Sequence, residues 1–131
     1  MNACWPDWTI ARVASGAETA TAAKLAGQLR ALGYTVTERV GGTGVVAVLR
    51  NGSGKTILLR TELDALPVEE ATGLPFASKV HAKDPSGRDV AVGHMCGHDV
   101  HMSTLVATAS IMAQRRDAWH GTLVLIGQPA E

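Results

Sequence analysis

Residues 93–101 read GHMCGHDVH and place one thiol, one carboxylate and three imidazoles within nine positions. Cys96 and His98, separated by one glycine just before a periodic apolar run, can face a single point. Thiolate plus imidazole is a donor pair suited to Zn²⁺ or a similar divalent ion. Two ligands alone do not hold a metal, and Asp99, His94 and His101 stand close enough to complete a set or to orient an imidazole through its second nitrogen. Two other assignments stay open on these residues. Asp99 could cap a helix start among solvated histidines, and Cys96, beside histidines at a helix N-terminus, has the surroundings of a nucleophilic thiol.

Further carboxylates stand where apolar runs turn polar. In TILLRTELDALPVEE, residues 56–70, Glu62 and Asp64 are two positions apart and would share one face of a strand. Acidic groups at the carboxyl end of a strand mark the edge of a site in α/β sheets, whereas Glu69 and Glu70 read as a solvated edge. Glu131 follows VLIGQPA, with Pro129 ending the ladder. A carboxylate so placed can serve as general base toward a metal-activated water, or be an exposed residue only. GSGKT, residues 52–56, fails as a phosphate loop, because Leu49 stands where the first glycine is required and a strand-like run follows instead of a helix.

Elements able to position these groups follow from periodicity. SGAETATAAKLAGQLRALG, residues 15–33, predicts a helix with a Ser15/Glu18 capping box, a buried face of Ala22, Leu25, Leu29 and Leu32, and a stop at Gly33. YTVTERV alternates, GGTG at 41–44 reads as a turn, and NGSG at 51–54 reads as a tight reversal between antiparallel strands over 44–50 and 55–62. Residues 67–92 read as a long irregular connection, which tends to be functional. HDVHMSTLVATASIMAQRR predicts a second helix, with Met102, Leu105, Val106, Ala109, Met112 and Ala113 on one face and Arg115 and Arg116 in its last turn. GTLVLIGQPAE begins as an apolar strand. The fold class expected is α/β, a mixed sheet covered by helices with its strands buried on both faces.

A chain of 131 residues, 46% of them hydrophobic, is long enough for one domain with a core. Twelve Lys and Arg balance twelve Asp and Glu without clustering, so neither nucleic acid nor a membrane surface is an expected partner. MNACWPDWTI is not a basic segment followed by a long apolar one, which points to the cytoplasm, and there Cys4 and Cys96 are expected as thiols. His81 and His120 read as solvent-facing loop residues.

Taken together, LRTELDALPVEEATGLPFAS, HMCGHDVHMSTLVATA and GTLVLIGQPAE resemble the dinuclear-metal amidohydrolases of the hippurate hydrolase and indole-acetyl-amino-acid hydrolase branch, relatives of aminoacylase and of bacterial carboxypeptidases. The resemblance covers roughly residues 15–131. It implies a zinc-exopeptidase-like catalytic domain of which residues 1–131 are the N-terminal portion, without the lid and dimerisation domain. It further implies two divalent metal ions, Zn or Mn, with Cys96 and His98 as ligands and Glu131 as general base. Asp64 is implied as a supporting group near the metals, with Glu62 standing where the branch usually has aspartate, while Asp99 and His101 read from their spacing as supporting groups at the helix start. A second glutamate ligand would be residue 132. The implied reaction is hydrolysis of the amide bond of an N-acyl amino acid or similar small conjugate, by a longer chain that could be a homodimer. The alternative is a truncated, non-catalytic metal-binding or interaction fragment.

Overall fold

The computed structural model describes residues 18–84 and 86–129. Cys4, Ser15 and Glu131 lie outside the described residues, and with Ser15 goes the expected capping box. Helix α1 spans Thr19–Ala31 and buries Ala22, Leu25, Ala26 and Leu29, as the periodicity requires. Glu18 occupies its N-cap position, where the buried carboxylate accepts a hydrogen bond from the Thr43 hydroxyl at 2.8 Å. Gly33, at φ +86°, turns the chain out of the helix, and the Tyr34 amide donates back to the Leu29 carbonyl.

Strands β1 (Thr35–Val40) and β2 (Gly44–Asn51) form an antiparallel hairpin across the glycine-rich turn. After β3 (Thr56–Glu62) come a small hairpin of β4 (His81–Lys83) and β5 (Asp89–Ala91), helix α2 (His98–Gln114), and β6 (Gly121–Gln128). The order in the main sheet is β1-β2-β6-β3, with β6 antiparallel to β2 and parallel to β3. β2 and β3 therefore run oppositely, as expected, but are not neighbours joined by a tight reversal. β6 lies between them because its side chains carry no charge and it can satisfy ladder partners on both edges. β3, carrying Arg60, takes the edge position.

Both helices pack on one face of this sheet. Leu25 and Leu29 of α1 and Met102, Leu105, Val106 and Ala109 of α2 share a single core with Val45, Ala47, Leu49, Leu123 and Leu125. The opposite face is not covered by described residues, so the expectation of burial on both faces fails: Leu58, which shares that face with Val124, is 54% exposed. An edge strand lacks the outer neighbour that would shield such side chains.

The segment expected to be irregular over 67–92 contains the β4–β5 hairpin. His81 sits on β4, with Nδ1 2.9 Å from Asp89 Oδ2, and not in a loop. His120 is exposed outside regular structure. Glu70 is less solvated than expected, since its Oε2 accepts the Ser78 amide at 2.8 Å. α2 stops at Gln114, so Arg115 and Arg116 fall outside its last turn. There the Asn51 side-chain amide donates to the Arg116 and Trp119 carbonyls at 2.7 and 2.6 Å and ties the helix exit to β2. Among the described residues no helix is long and apolar enough to cross a membrane.

Tyr34 is the chain's one tyrosine, is buried, and donates its hydroxyl proton to the Ala109 carbonyl at 3.0 Å, bridging α1's end to α2. Burial pushes its pKa from 10.0 up to about 12, against a small opposing pull from Arg116. A raised folded-state pKa means the contribution is whole below pH 10 and is lost as pH climbs through about 12. Phenolate absorbance should therefore titrate near 12 in the folded chain. Tyr34→Phe should cost about 1 kcal/mol at neutral pH while reducing the loss of stability at alkaline pH, as read from melting curves.

Candidate functional site

The site forms where β3 and β6 end and α2 begins. β3 stops at Glu62, and the next amide, of Leu63, donates to the Gln128 carbonyl at 2.9 Å, keeping the two strand ends together. Beyond it the chain is stapled to the segment before α2: Leu66 and Gly93 exchange backbone hydrogen bonds, both at 3.0 Å. Gly93 permits this approach because a Cβ there would lie 3.1 Å from the Val68 carbonyl oxygen and 2.8 Å from Met95. This staple brings DALP against GHMC.

Gly97, at φ +74° in the left-handed region, is the N-cap of α2, with no side-chain capping bond. Asp99 lies within the first turn and does not cap the helix, so that simpler assignment of the aspartate is corrected. His98 is the first helical residue and is 6% exposed. Its Nδ1 lies 3.0 Å from the Asp64 carbonyl oxygen and 3.2 Å from Asp64 Oδ1. Both neighbours are acceptors, which requires the proton on Nδ1 and turns the Nε2 lone pair toward any ligand. One turn further, His101 Nδ1 lies 3.3 Å from Glu62 Oε2.

The two carboxylates thus meet two imidazoles spaced by one helical turn, Asp64 with His98 and Glu62 with His101. Glu62 and Asp64 are 8% and 4% exposed. Only Glu62 is part of the strand; Asp64 lies two residues past its end. Burial alone would raise the Glu62 pKa. Its backbone hydrogen bond, the His101 hydrogen bond and the positive potential of Arg60 and His98 outweigh that and hold the carboxyl below its usual range. Arg60 contacts Glu62 Oε1 and also donates to Gln128 Oε1 at 2.6 Å. Sequence inspection missed this arginine, although positions 60 and 62 share a strand face.

Cys96 carries a free, exposed thiol. With His98, Asp64, His94 and Met95 it lines a cavity of about 180 Å³. A second, more open groove of about 410 Å³ runs along β3 and α2 past Arg60, Glu62, His101 and Thr104. Among the described residues the side chains whose ligand atoms lie within 4.8 Å of one another are Glu62, His98 and His101. The His98 and His101 imidazoles and the Glu62 carboxylate are donors chemically suited to a divalent ion, and the Cys96 thiol lines a cavity with His98.

Residues 58–131 match the model of Peptidase family M20/M25/M40. The chain is 43% identical to hippurate hydrolase of Campylobacter jejuni over 115 residues, 87% of this chain and 27% of that protein. It is 42% identical over 116 residues to thermostable carboxypeptidase 2 of Saccharolobus solfataricus, again 87% of this chain and 27% of the relative. The crystal structure of Bacillus subtilis YXEP, a dinuclear metal binding peptidase, superposes with a TM-score of 0.76 at 36% identity, covering 90% of this chain and 31% of that one. The chain therefore spans just over a quarter of the length of the curated relatives it matches.

Proposed function

The chain belongs to Peptidase family M20/M25/M40, and on that premise we propose that residues 1–131 are the N-terminal portion of the catalytic domain of a metal-dependent amidohydrolase. The proposed substrates are N-acyl amino acids or similar small conjugates, a class consistent with the hippurate hydrolase likeness. The observation that carries this is the buried His98 imidazole, oriented by Asp64 and sharing a cavity with the Cys96 thiol.

In the proposed enzyme Cys96 and His98 hold one or both of two divalent ions, Zn or Mn, together with ligands from further along the chain. When bound, such ions supply Lewis acidity toward the scissile carbonyl and toward water. Asp64 keeps the His98 proton on Nδ1, so that Nε2 stays available. Glu131 is the proposed general base, accepting a proton and passing it to the leaving amine. Asp99 and His101 are proposed to support the site from the first turns of α2, and the complete protein is proposed to be a homodimer.

The test is made on the complete protein. Glu131→Gln should lower kcat by roughly 10²–10⁴-fold, the usual yield of general acid–base catalysis, while leaving metal content unchanged. Full turnover in that variant would end the assignment. Cys96→Ser should lose both metal and turnover. The 131-residue chain alone should be inactive, because an incomplete ligand set cannot hold the ions in working geometry; chelator-sensitive amide hydrolysis by the isolated chain would contradict this.

A further inference from the structure

The end of the sheet remote from Glu62 carries a cavity of about 260 Å³. α2 ends at Gln114, and Ile57, on the helix-facing side of β3 beside Leu123, is left 59% exposed. Ile57, Leu123, Met112 and Trp119 form an apolar wall, and Lys55 and His120 complete the lining.

This wall is held in place before any ligand arrives. Trp119 Nε1 donates to the Met112 carbonyl at 3.0 Å, and the Asn51 side-chain amide donates to the Trp119 carbonyl at 2.6 Å, so the indole and its backbone are both fixed. Close backbone approaches set Lys55 and His120 side by side at the starts of β3 and β6. A Cβ built at Gly54 would stand 2.9 Å from the His120 carbonyl oxygen, and one at Gly121 would stand 2.3 Å from that of Lys55. Among the described residues neither Lys55 nor His120 has an ion-pair partner.

We propose that this cavity binds a small aryl-alkyl carboxylate, its ring against Trp119, Ile57 and Leu123 and its carboxylate at Lys55 and His120. Volume sets the size of the ligand. A cavity of about 150 Å³ holds one benzene ring and drug-sized ligands occupy about 300–1,000 Å³, so a single ring with a short acid arm falls between them. Charge sets its class. An ammonium and an imidazole N–H donate to a carboxylate in charge-assisted hydrogen bonds, whereas the apolar wall offers nothing to a small inorganic anion. A ring packed on the indole adds an aromatic contact to the area it buries, and a fixed wall keeps the ordering cost of binding low. The seven residues of β3, at about 3.3 Å each, put the cavity roughly 20 Å from Glu62. This site is therefore independent of the amidohydrolase assignment.

The test is a titration of 3-phenylpropionate into the complete protein labelled with 5-fluorotryptophan, following the fluorine resonance of Trp119, which is assigned by its loss in Trp119→Phe. The expected result is a saturable shift with a Kd of about 1 mM or tighter, in keeping with so few ligand atoms. The uncharged isostere 3-phenylpropionamide should bind at least about tenfold more weakly, and 3-phenylpropionate should bind Lys55→Ala more weakly by the same factor. Lys55 is exposed, so its substitution leaves the core intact. His120→Ala should act in the same direction. No saturation by about 10 mM, equal affinity for the amide, or indifference to Lys55→Ala would each overturn the proposal; a cavity covered by the further length of a longer chain would give the first of these results. Turnover is a separate readout, so this site and the amidohydrolase assignment fail independently.

Discussion

His98→Ala is expected to weaken divalent-ion binding by more than about 100-fold, beyond the 10–100-fold typical of losing a supporting group around a metal. The effect should be measurable in the 131-residue chain as well as in the complete protein, because His98 is a proposed ligand that both contain. The substitution also removes the imidazole N–H from the buried carbonyl oxygen of Asp64, which sits 3.0 Å from it. Leaving that acceptor unmatched should cost about 1–3 kcal/mol of stability. Calorimetric ion titration and a thermal melt read the two consequences separately. Unaltered ion affinity in a folded His98→Ala chain would remove this histidine from the proposed ligand set.

The second large effect concerns glycine, where two substitutions of the same kind should have opposite signs. Gly121 opens β6 at φ +125°, a conformation L side chains rarely adopt. A Cβ there would stand 2.3 Å from the Lys55 carbonyl oxygen, the acceptor of the Thr122 amide at 3.0 Å. Gly121→Ala must therefore combine backbone strain with loss of the hydrogen bond that docks the start of β3 onto β6, a destabilisation of about 3 kcal/mol or more. Gly27, by contrast, lies inside α1 with nothing within 4 Å of a built Cβ. Gly27→Ala should stabilise by about 0.5–1 kcal/mol through reduced freedom of the unfolded chain. Urea denaturation of the two variants checks both signs; equal destabilisation would show that the conformation at Gly121 is not what matters.

Legibility varied with the kind of information each feature needs. Helices α1 and α2 were readable because a 3.6-residue apolar period is local, and the turn at 41–44 because glycines there adopt positive φ. Cys96 and His98 lie two positions apart at a helix start, so their shared cavity was also foreseeable. The strand order was not. Residues 51–54 reverse the chain, which suggests a hairpin, yet the competing partner for both strands arrives some 60 residues later. Nor does alternation distinguish a central strand from the edge that leaves Ile57 and Leu58 exposed.

By itself the sequence determined the residue types that can do chemistry, the helix that begins with His98, and the placing of carboxylates at the end of an apolar strand. Those depend on spacing within one element. Which carboxylate faces which imidazole was decided only when β3, β6 and α2 came together. Asp64 had to pass the end of its strand to reach His98, and Glu62 had to stay on it to reach His101. Such pairings join residues 34 and 39 positions apart. They are set by the backbone staple between Leu66 and Gly93 and by the sheet register, which no local pattern encodes.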